Sequence, residues 1–453
     1  MYRNLLSNKF ALIGLVALGI LLPLGMIEDL VGERAGFHEA AIADMARTAT
    51  GSQRVTGPVL RVPCTETRVV PLANPVADGP SERTIERNCS VAVLPERLVV
   101  DGTLVTEQRR RGIHAALFYG STLAVTARFV LPAGFGSGET DARIALGDTT
   151  LNLGISDTRG IANAPRVDRG GDFVDFEPGS ALPALGPGIR ADLGRLQAGQ
   201  AIELSFELAL RGHRQFELVP VGRETVVTLA SGWPHPSFVG NYLPTAREIG
   251  DAGFQAEWAI GHFATGLDEV FAHHGLDPEF CAEITQRAFG VALVDPVDLY
   301  TQADRAVKYG FLFVALTFIA LLGTEFARGL RLHPLQYAMV GVALAMFFLL
   351  LLSFAEHLGF RGAYGLASGA CVALLAFYLG AITASRAVGT AFGATLATLY
   401  ALLYGILAME DYALLSGSAF VFGVLAAVMV ATRHVDFYRV GERLRGMENN
   451  ATV

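Results

Sequence analysis

Histidine, cysteine and carboxylate side chains are scattered through this chain without the spacing that assembles common catalytic or metal sites. His38-Glu39 begins like a zinc-protease signature, in which two histidines four apart on one helix face hold the metal, but position 42 is Ile42. His262, His273, His274 and Cys281 are metal-ligand types at irregular intervals, with no paired short-spaced ligands. Glu356-His357 sets an acid beside a base; adjacent residues on a helix do not face each other, so an interfacial cap is the simpler role. There is no nucleophile elbow, phosphate loop or dinucleotide fingerprint. The pattern therefore points away from an enzyme and implies no cofactor and no metal.

Two groups of residues carry more information. Cys64 is in register with Leu60 and Val62, and Cys89 with Ile85, Val91 and Val93, so both point to the inner faces of consecutive strands. Either a disulfide closes this long hairpin, as an oxidising compartment permits, or two free thiols are buried there. Cys281 is left unpaired, and Cys371 falls in an apolar stretch as a small apolar residue. The second group is Ser231 to Pro244, whose prolines 234, 236 and 244 rule out a regular helix. Trp233, His235, Phe238 and Tyr242 make it either a recognition loop or a closure of the β core, because its large rings must be buried if it is ordered. Arg109-Arg110-Arg111 is a basic cluster that reads as a solvated turn ahead of a phosphate or lipid site.

The elements that position these residues divide the chain sharply. Of its 453 residues 52% are hydrophobic and 17% charged. Phe10 to Ile27 is free of charge, and from Tyr309 to Thr432 the sequence is almost continuously apolar. A bilayer core about 30 Å thick needs such runs of ~20 residues, so this is an integral membrane protein. The apolar runs predict one N-terminal transmembrane α-helix and five C-terminal ones, at about 309–326, 335–354, 362–382, 388–409 and 412–432. The first helix reads as an uncleaved anchor, since Glu28-Asp29-Leu30 follows it instead of a small-residue cleavage site. With both termini cytoplasmic, Arg3, Lys9, Arg328, Arg331, Arg386, Arg433, Arg439, Arg443 and Arg445 lie inside, against Lys308 and Arg361 outside. That distribution obeys the positive-inside rule. Gly365-x-x-x-Gly369 and Gly389-x-x-x-Gly393 allow close helix approach, within this bundle ahead of a dimer seam.

Between the membrane parts the composition changes. Residues 28 to 305 contain 24 Arg and 36 Asp or Glu, a net charge of -12, which speaks against nucleic-acid binding. Val31, Ala35, Ile42, Met45 and Ala49 recur at helical spacing and predict a stalk running to Gly51. The period then becomes two: Leu123, Val125, Ala127 and Phe129 alternate with small or polar residues, as do Ile202, Leu204, Phe206, Leu208 and Leu210. The expectation is a large, antiparallel β-rich outer domain inserted after the first helix. The domains are thus an anchor at 1–27, a periplasmic β-rich domain with its stalk at 28–305, a five-helix bundle at 306–432 and a cytoplasmic tail at 433–453.

Several motifs, in order along nearly the whole chain, make it resemble the inner-membrane CreD family of cell-envelope integrity proteins. They include Gly57-Pro58 with Pro63, Leu94-Pro95-Glu96, Arg111-Gly112-Ile113, Asp157 with Arg159-Gly160-Ile161, and Trp233-Pro234-His235-Pro236-Ser237-Phe238. Further on come Gly253-Phe254-Gln255-Ala256 with Trp258, Pro296-Val297-Asp298 with Tyr300, and Arg305-Ala306 with Lys308-Tyr309. His333-Pro334 with Gln336-Tyr337, and Glu356-His357, complete the set. The resemblance implies a protein of the bacterial inner membrane linked to envelope stress and a two-component system of the same name. It carries over no catalytic residues and adds nothing to the cysteine pairing. The expected function is support of envelope integrity, with the outer domain engaging an envelope protein or glycan and the helices contacting membrane lipid. A transporter or channel for a lipid or small envelope molecule is the alternative, and a hydrolase whose residues meet only on folding is a third class. Oligomeric state is not legible.

Overall fold

The computed structural model describes residues 5–71, 82–135, 142–274, 277–295, 299–328 and 332–408, with scattered positions between 415 and 433. Two compact units emerge, one of residues 1–37 with 297–453, the other of residues 38–296. The first division falls inside the helix Leu21–Thr48.

Among the described residues three helices are long and apolar enough to cross a bilayer: Ala11–Thr48, Pro334–Ile382 and Arg386–Leu407. Leu299–Lys308 and Gly310–Glu325, bent by 45°, add a fourth if they act as one. This count falls short of the six expected helices for two reasons. The span expected at 412–432 lies largely outside the described residues, as do the tail from 434 onward and the Pro296-Val297-Asp298 motif. The spans expected at 335–354 and 362–382 are counted together as Pro334–Ile382, although they are two helices that meet at non-helical torsions at Gly359 (φ 70°, ψ 166°), where the expected break falls. A positive φ of this kind suits glycine, which has no Cβ to clash. The element folds back there: the Cys371 thiol donates to the Ala343 carbonyl at 3.6 Å, and Phe347 lies 5.5 Å from Tyr364. In a straight helix residues 343 and 371 would be about 42 Å apart.

The small-residue motifs behave differently from one another. A Cβ on Gly389 would come within 2.5 Å of the Ala376 carbonyl oxygen and 2.8 Å of the Gly380 Cα, so this motif packs inside the chain. Gly365 and Gly369 have nothing within 4 Å of such an atom.

The other unit is built from strands. In chain order these are β1 (Gln53–Pro71), β2 (Glu82–Val93), β3 (Arg97–Arg111), β4 (His114–Val130), β5 (Ala142–Leu146) and β6 (Asp148–Ile155). Then come β7 (Arg166–Arg169), β8 (Asp172–Asp175), β9 (Glu177–Pro178), β10 (Gly188–Arg195), β11 (Ala201–His213) and β12 (Gln215–Val219). The last are β13 (Glu224–Ser231), β14 (Pro236–Gly240), β15 (Ala246–Gly250), β16 (Gly253–Gly261) and β17 (Phe289–Leu293). One sheet runs β14-β17-β12-β1-β6-β10-β9, with β2 and β5 also paired to β1; the other runs β15-β16-β13-β3-β4-β11-β7-β8. Neither sheet is wholly antiparallel, because β1 lies parallel to β12 and β3 parallel to β13. Period-two patterning identifies a strand's buried face and says nothing of its neighbour's direction.

A single apolar core joins the two sheets. Val62, Leu151, Leu153, Phe216 and Phe289 enter it from the first, and Leu98, Leu123, Phe129, Leu208 and Trp258 from the second. The first sheet is covered on its other face too. Asn152, opposite in parity to Leu151 and Leu153, is fully buried, and its Oδ1 accepts from the Ala181 N–H at 2.8 Å. The second sheet leaves that face open over much of its breadth, as the alternation of exposed and buried residues along β4 from Ser121 to Val130 shows, while Ala116 and Phe118 nearer the start of the strand are buried.

Candidate functional site

The segment from Ser231 to Pro244 carries the chain from one sheet to the other. Its middle forms β14, at the edge of the first sheet against β17, and soon after it β15 forms the edge of the second. Gly240 (φ 91°) passes so close to β17 that a Cβ would lie 2.2 Å from the Ala288 carbonyl oxygen. The rings fill the gap between the edges. Phe238 meets Phe254 at 6.0 Å and Trp258 at 5.7 Å, Tyr242 meets Phe289 at 6.1 Å, and Trp258 meets Phe289 at 5.3 Å. Such edge and tilted contacts suit the ring quadrupoles.

The polar ends of these rings go to backbone. Trp233 Nε1–H donates to the Val294 carbonyl at 2.9 Å, Trp258 Nε1–H to that of Tyr242 at 3.1 Å, and the Tyr242 hydroxyl to that of Ala264 at 3.2 Å. Burial raises the Tyr242 phenol above its ordinary pKa, with Arg287 acting the other way. Trp233, Phe238 and Tyr242 are therefore committed to closing the sandwich. His235, edge-on to Trp233 at 6.2 Å, is exposed. Leu243 and Phe263 are also exposed, at 72% and 94%.

Cys64 and Cys89 are directly opposite in the β1–β2 register and are joined as a disulfide, with Cα atoms 4.8 Å apart. Beyond this bond β1 runs on between β2 and β5 as a three-stranded arm, on which Val69, Ile85 and Ile144 are exposed. Cys281 is a free thiol beside Gly186, in a cleft of about 500 Å³ that also includes Arg54, Ser156 and Glu279. The His262 ring lies 4.0 Å from that of Phe263, tilted by 35°. Among those residues no three His, Cys, Asp or Glu side chains converge in a way that would hold a metal ion.

The Asp157-x-Arg159-Gly160 motif is a lock between elements. The Asp157 carboxylate accepts from the Gly51 and Arg159 N–H groups and from the Arg159 guanidinium, which donates as well to the Arg47 carbonyl. The Arg159 guanidinium is the main reason the Asp157 pKa is lowered to about 2. Gly160 leaves room for Gln53: a Cβ would meet its Nε2 at 2.1 Å and the Arg211 carbonyl oxygen at 2.4 Å. In the membrane unit two carboxylates are likewise tied by tyrosines. Tyr300 donates to Glu356 at 3.3 Å, and Tyr337 to Glu325 at 2.7 Å. Glu356 is half-buried and His357 exposed, so the two do not share a site. Glu325, which its place at a span end would expose, is buried.

The surface with most freedom to bind is the open face of the second sheet. Ser205, Thr126, Val99, Val226 and Ala259 form one row across β11, β4, β3, β13 and β16; Glu207, Ala124, Asp101, Thr228 and Glu257 form the next. At one side an open groove of about 580 Å³ lies over Ala124, Thr126, Ser205 and Glu207, walled by Asn163, Arg166, Asp168 and Phe173. The wall is braced: Asn163 bonds the Glu207 carbonyl and the Ala209 N–H at 2.9 and 3.0 Å, and Arg166 pairs with Asp175 at 2.7 Å. Arg166 lies 5.4 Å from the centre of the exposed Phe173 ring. Hydroxyls, carboxylates and an aromatic edge can hold a ligand rich in hydroxyl or amide groups, with Arg166 as the cationic element. Sequence pattern finds the strands but misses this groove, because β7, β8 and the Asn163 turn are too short to show a period.

Apolar helices long enough to cross a bilayer, together with a two-sheet β domain, define a membrane protein with a large β-rich domain. The sequence profile described as Inner membrane protein CreD matches residues 5–438, and the chain belongs to that family. It is 35% identical to the Inner membrane protein CreD of Escherichia coli (strain K12) over 432 residues, covering 94% of this chain and 92% of that one. The protein is accordingly an inner-membrane protein.

Proposed function

We propose that this protein supports cell-envelope integrity without being an enzyme, its β domain facing the periplasm and engaging an envelope component, a glycan or a protein. In this reading six helices cross the membrane and both termini are cytoplasmic, in keeping with the charge distribution of the short segments. The observation that carries it is the contrast in free space. The β domain has an open groove of about 580 Å³ on a solvated sheet, whereas among the described helices the cavity between Tyr309, Phe313, Leu399 and Leu403 holds about 10 Å³ and is lined by apolar surface. That is room for about one water. Large buried rings, among them Phe313, Phe347, Tyr364 and Tyr400, fill the space near it, which weighs against the transport alternative.

The test is in-cell photocrosslinking from Thr126 and Phe173, with Arg195 on the first sheet as control. Capture of a defined envelope glycan or protein from the first two sites alone is the expected result. Recovery of lipid or small solutes only would sink the scaffold reading in favour of transport.

A further inference from the structure

From His38 onward the helix that leaves the membrane unit belongs to the β domain. Ile42 and Met45 pack there on Ala116 and Phe118 of β4. Histidines surround this small apolar contact. Nδ1 of His38 lies 3.0 Å from Nδ1 of His114, with the ring centres 5.2 Å apart. His213, at the end of β11, packs 5.1 Å from Phe118, and its buried Nε2 has no hydrogen-bond partner among the described residues.

The chemistry of these contacts is one-sided in protons. Two Nδ1 atoms at this distance need one N–H and one lone pair, which neutral or singly protonated rings supply. When both rings are protonated, both nitrogens are donors and the contact becomes repulsive. A proton on His213 would create a buried cation without an acceptor. Burial, and then the Arg214 guanidinium, lower the His213 pKa, while Glu39 acts in the opposite direction.

Charged groups face the contact from three elements. The helix brings Glu39, paired with Arg214 at 3.2 Å, and Asp44, shared by Arg47 and Arg111. The β3–β4 hairpin brings Arg111 and Arg109, the latter paired with Glu107 at 3.1 Å and lying 5.0 Å from the Phe118 ring centre. The turn after β6 brings Asp157, held by Arg159 at 2.7 Å. Each of these carboxylates already holds an arginine.

We propose that His38, His114 and His213 form an acid-sensitive latch that holds helix residues 38–48 on β4 at neutral pH and releases them as the rings protonate. For His213, whose pKa burial lowers, the contribution to the hold is complete above the ordinary histidine value of about 6.5 and fades as the pH falls below it.

The test places nitroxides on Ala43→Cys and Gln108→Cys in full-length Cys281→Ser protein in nanodiscs, with the Cys64–Cys89 bond left oxidised. Pulsed dipolar distances should show one narrow population at about pH 7.5 and a second, longer one at about pH 5, its share rising roughly tenfold. In the His38→Gln/His114→Gln/His213→Phe background that second population should not appear. Should this variant fail to fold, His38→Gln/His114→Gln carries the same test, with most of the response expected to vanish. Equal distributions at the two pH values overturn the proposal, as does a full response in the background that lacks these three histidines. A change on adding EDTA at neutral pH also overturns it, since the pair would then be holding a metal ion.

Discussion

The two sheets of the β domain share a core and differ in what lies on their other faces. The first is backed by the segments around Ala181–Gly186 and Cys281–Thr285, so that Asn152 is buried and Gly154 has a Leu185 carbonyl 2.4 Å from where a Cβ would stand. The second carries rows of mostly Ser, Thr, Ala and carboxylate side chains, with Val99 and Val226 half-exposed among them, across β11, β4, β3, β13 and β16. An antiparallel sheet can keep one face wet if that face is polar, and a broad wet face beside a braced groove is free for a partner. The contrast separates residues that build the domain from those available to recognise something.

Substitutions should follow that division. The largest loss is expected where the sheets meet: Trp258→Ala removes a fully buried ring touching Phe238 and Phe289, and should cost about 3–5 kcal/mol in denaturant unfolding. Next comes the first sheet's staple. Reducing Cys64–Cys89, which are 25 residues apart in sequence, should lower stability by about 2–4 kcal/mol, seen as a fall in Tm with reductant that Cys64→Ala/Cys89→Ala reproduces without it. Asn152→Ala leaves the Ala181 N–H without its acceptor and should cost about 1–3 kcal/mol; a neutral result would mean that the backing segments are not held through Asn152.

Asp157 adds a pH dependence. Its folded pKa of about 2 lies below the ordinary carboxylate value of 3.8, so its contribution is complete above about pH 4 and is lost as the pH falls through about 2. Thermal melts of Asp157→Asn should lack this component, and an unchanged acid profile would refute the lock. On the open face the effect on stability should be smallest. Phe173→Ala and Ser205→Arg are expected to stay within about 0.5 kcal/mol of the parent while reducing photocrosslinking from Thr126. A large loss of stability there would show that the open face is structural and would erase the contrast between the sheets.

Much of this organisation is written in local periodicity. The uncharged runs, the stalk residues Val31, Ile42 and Met45, and the alternation along β4 and β11 each follow from side chains a few positions apart. The same reasoning aligned Cys64 with Cys89 while leaving bond and free thiols equally open. It was weaker at Ser231–Pro244, where Trp233, Phe238 and Tyr242 suit recognition and closure alike. Phe238 and Tyr242 meet Phe254, Trp258 and Phe289, partners that lie across a sheet edge or on the far side of the sandwich and that no neighbour in the sequence announces. Nothing around His38 or His114 in sequence points to the other, 76 residues away.

Sequence by itself determined that the chain lives in a membrane, that a β-rich acidic domain interrupts its helices, and which family it resembles, because hydrophobicity, charge and short period act through neighbours in the chain. The parallel pairs β1–β12 and β3–β13 and the difference between a backed and an open sheet arise only in the tertiary structure. Those outcomes depend on which distant segments lose their solvent to one another, and no local pattern encodes that choice.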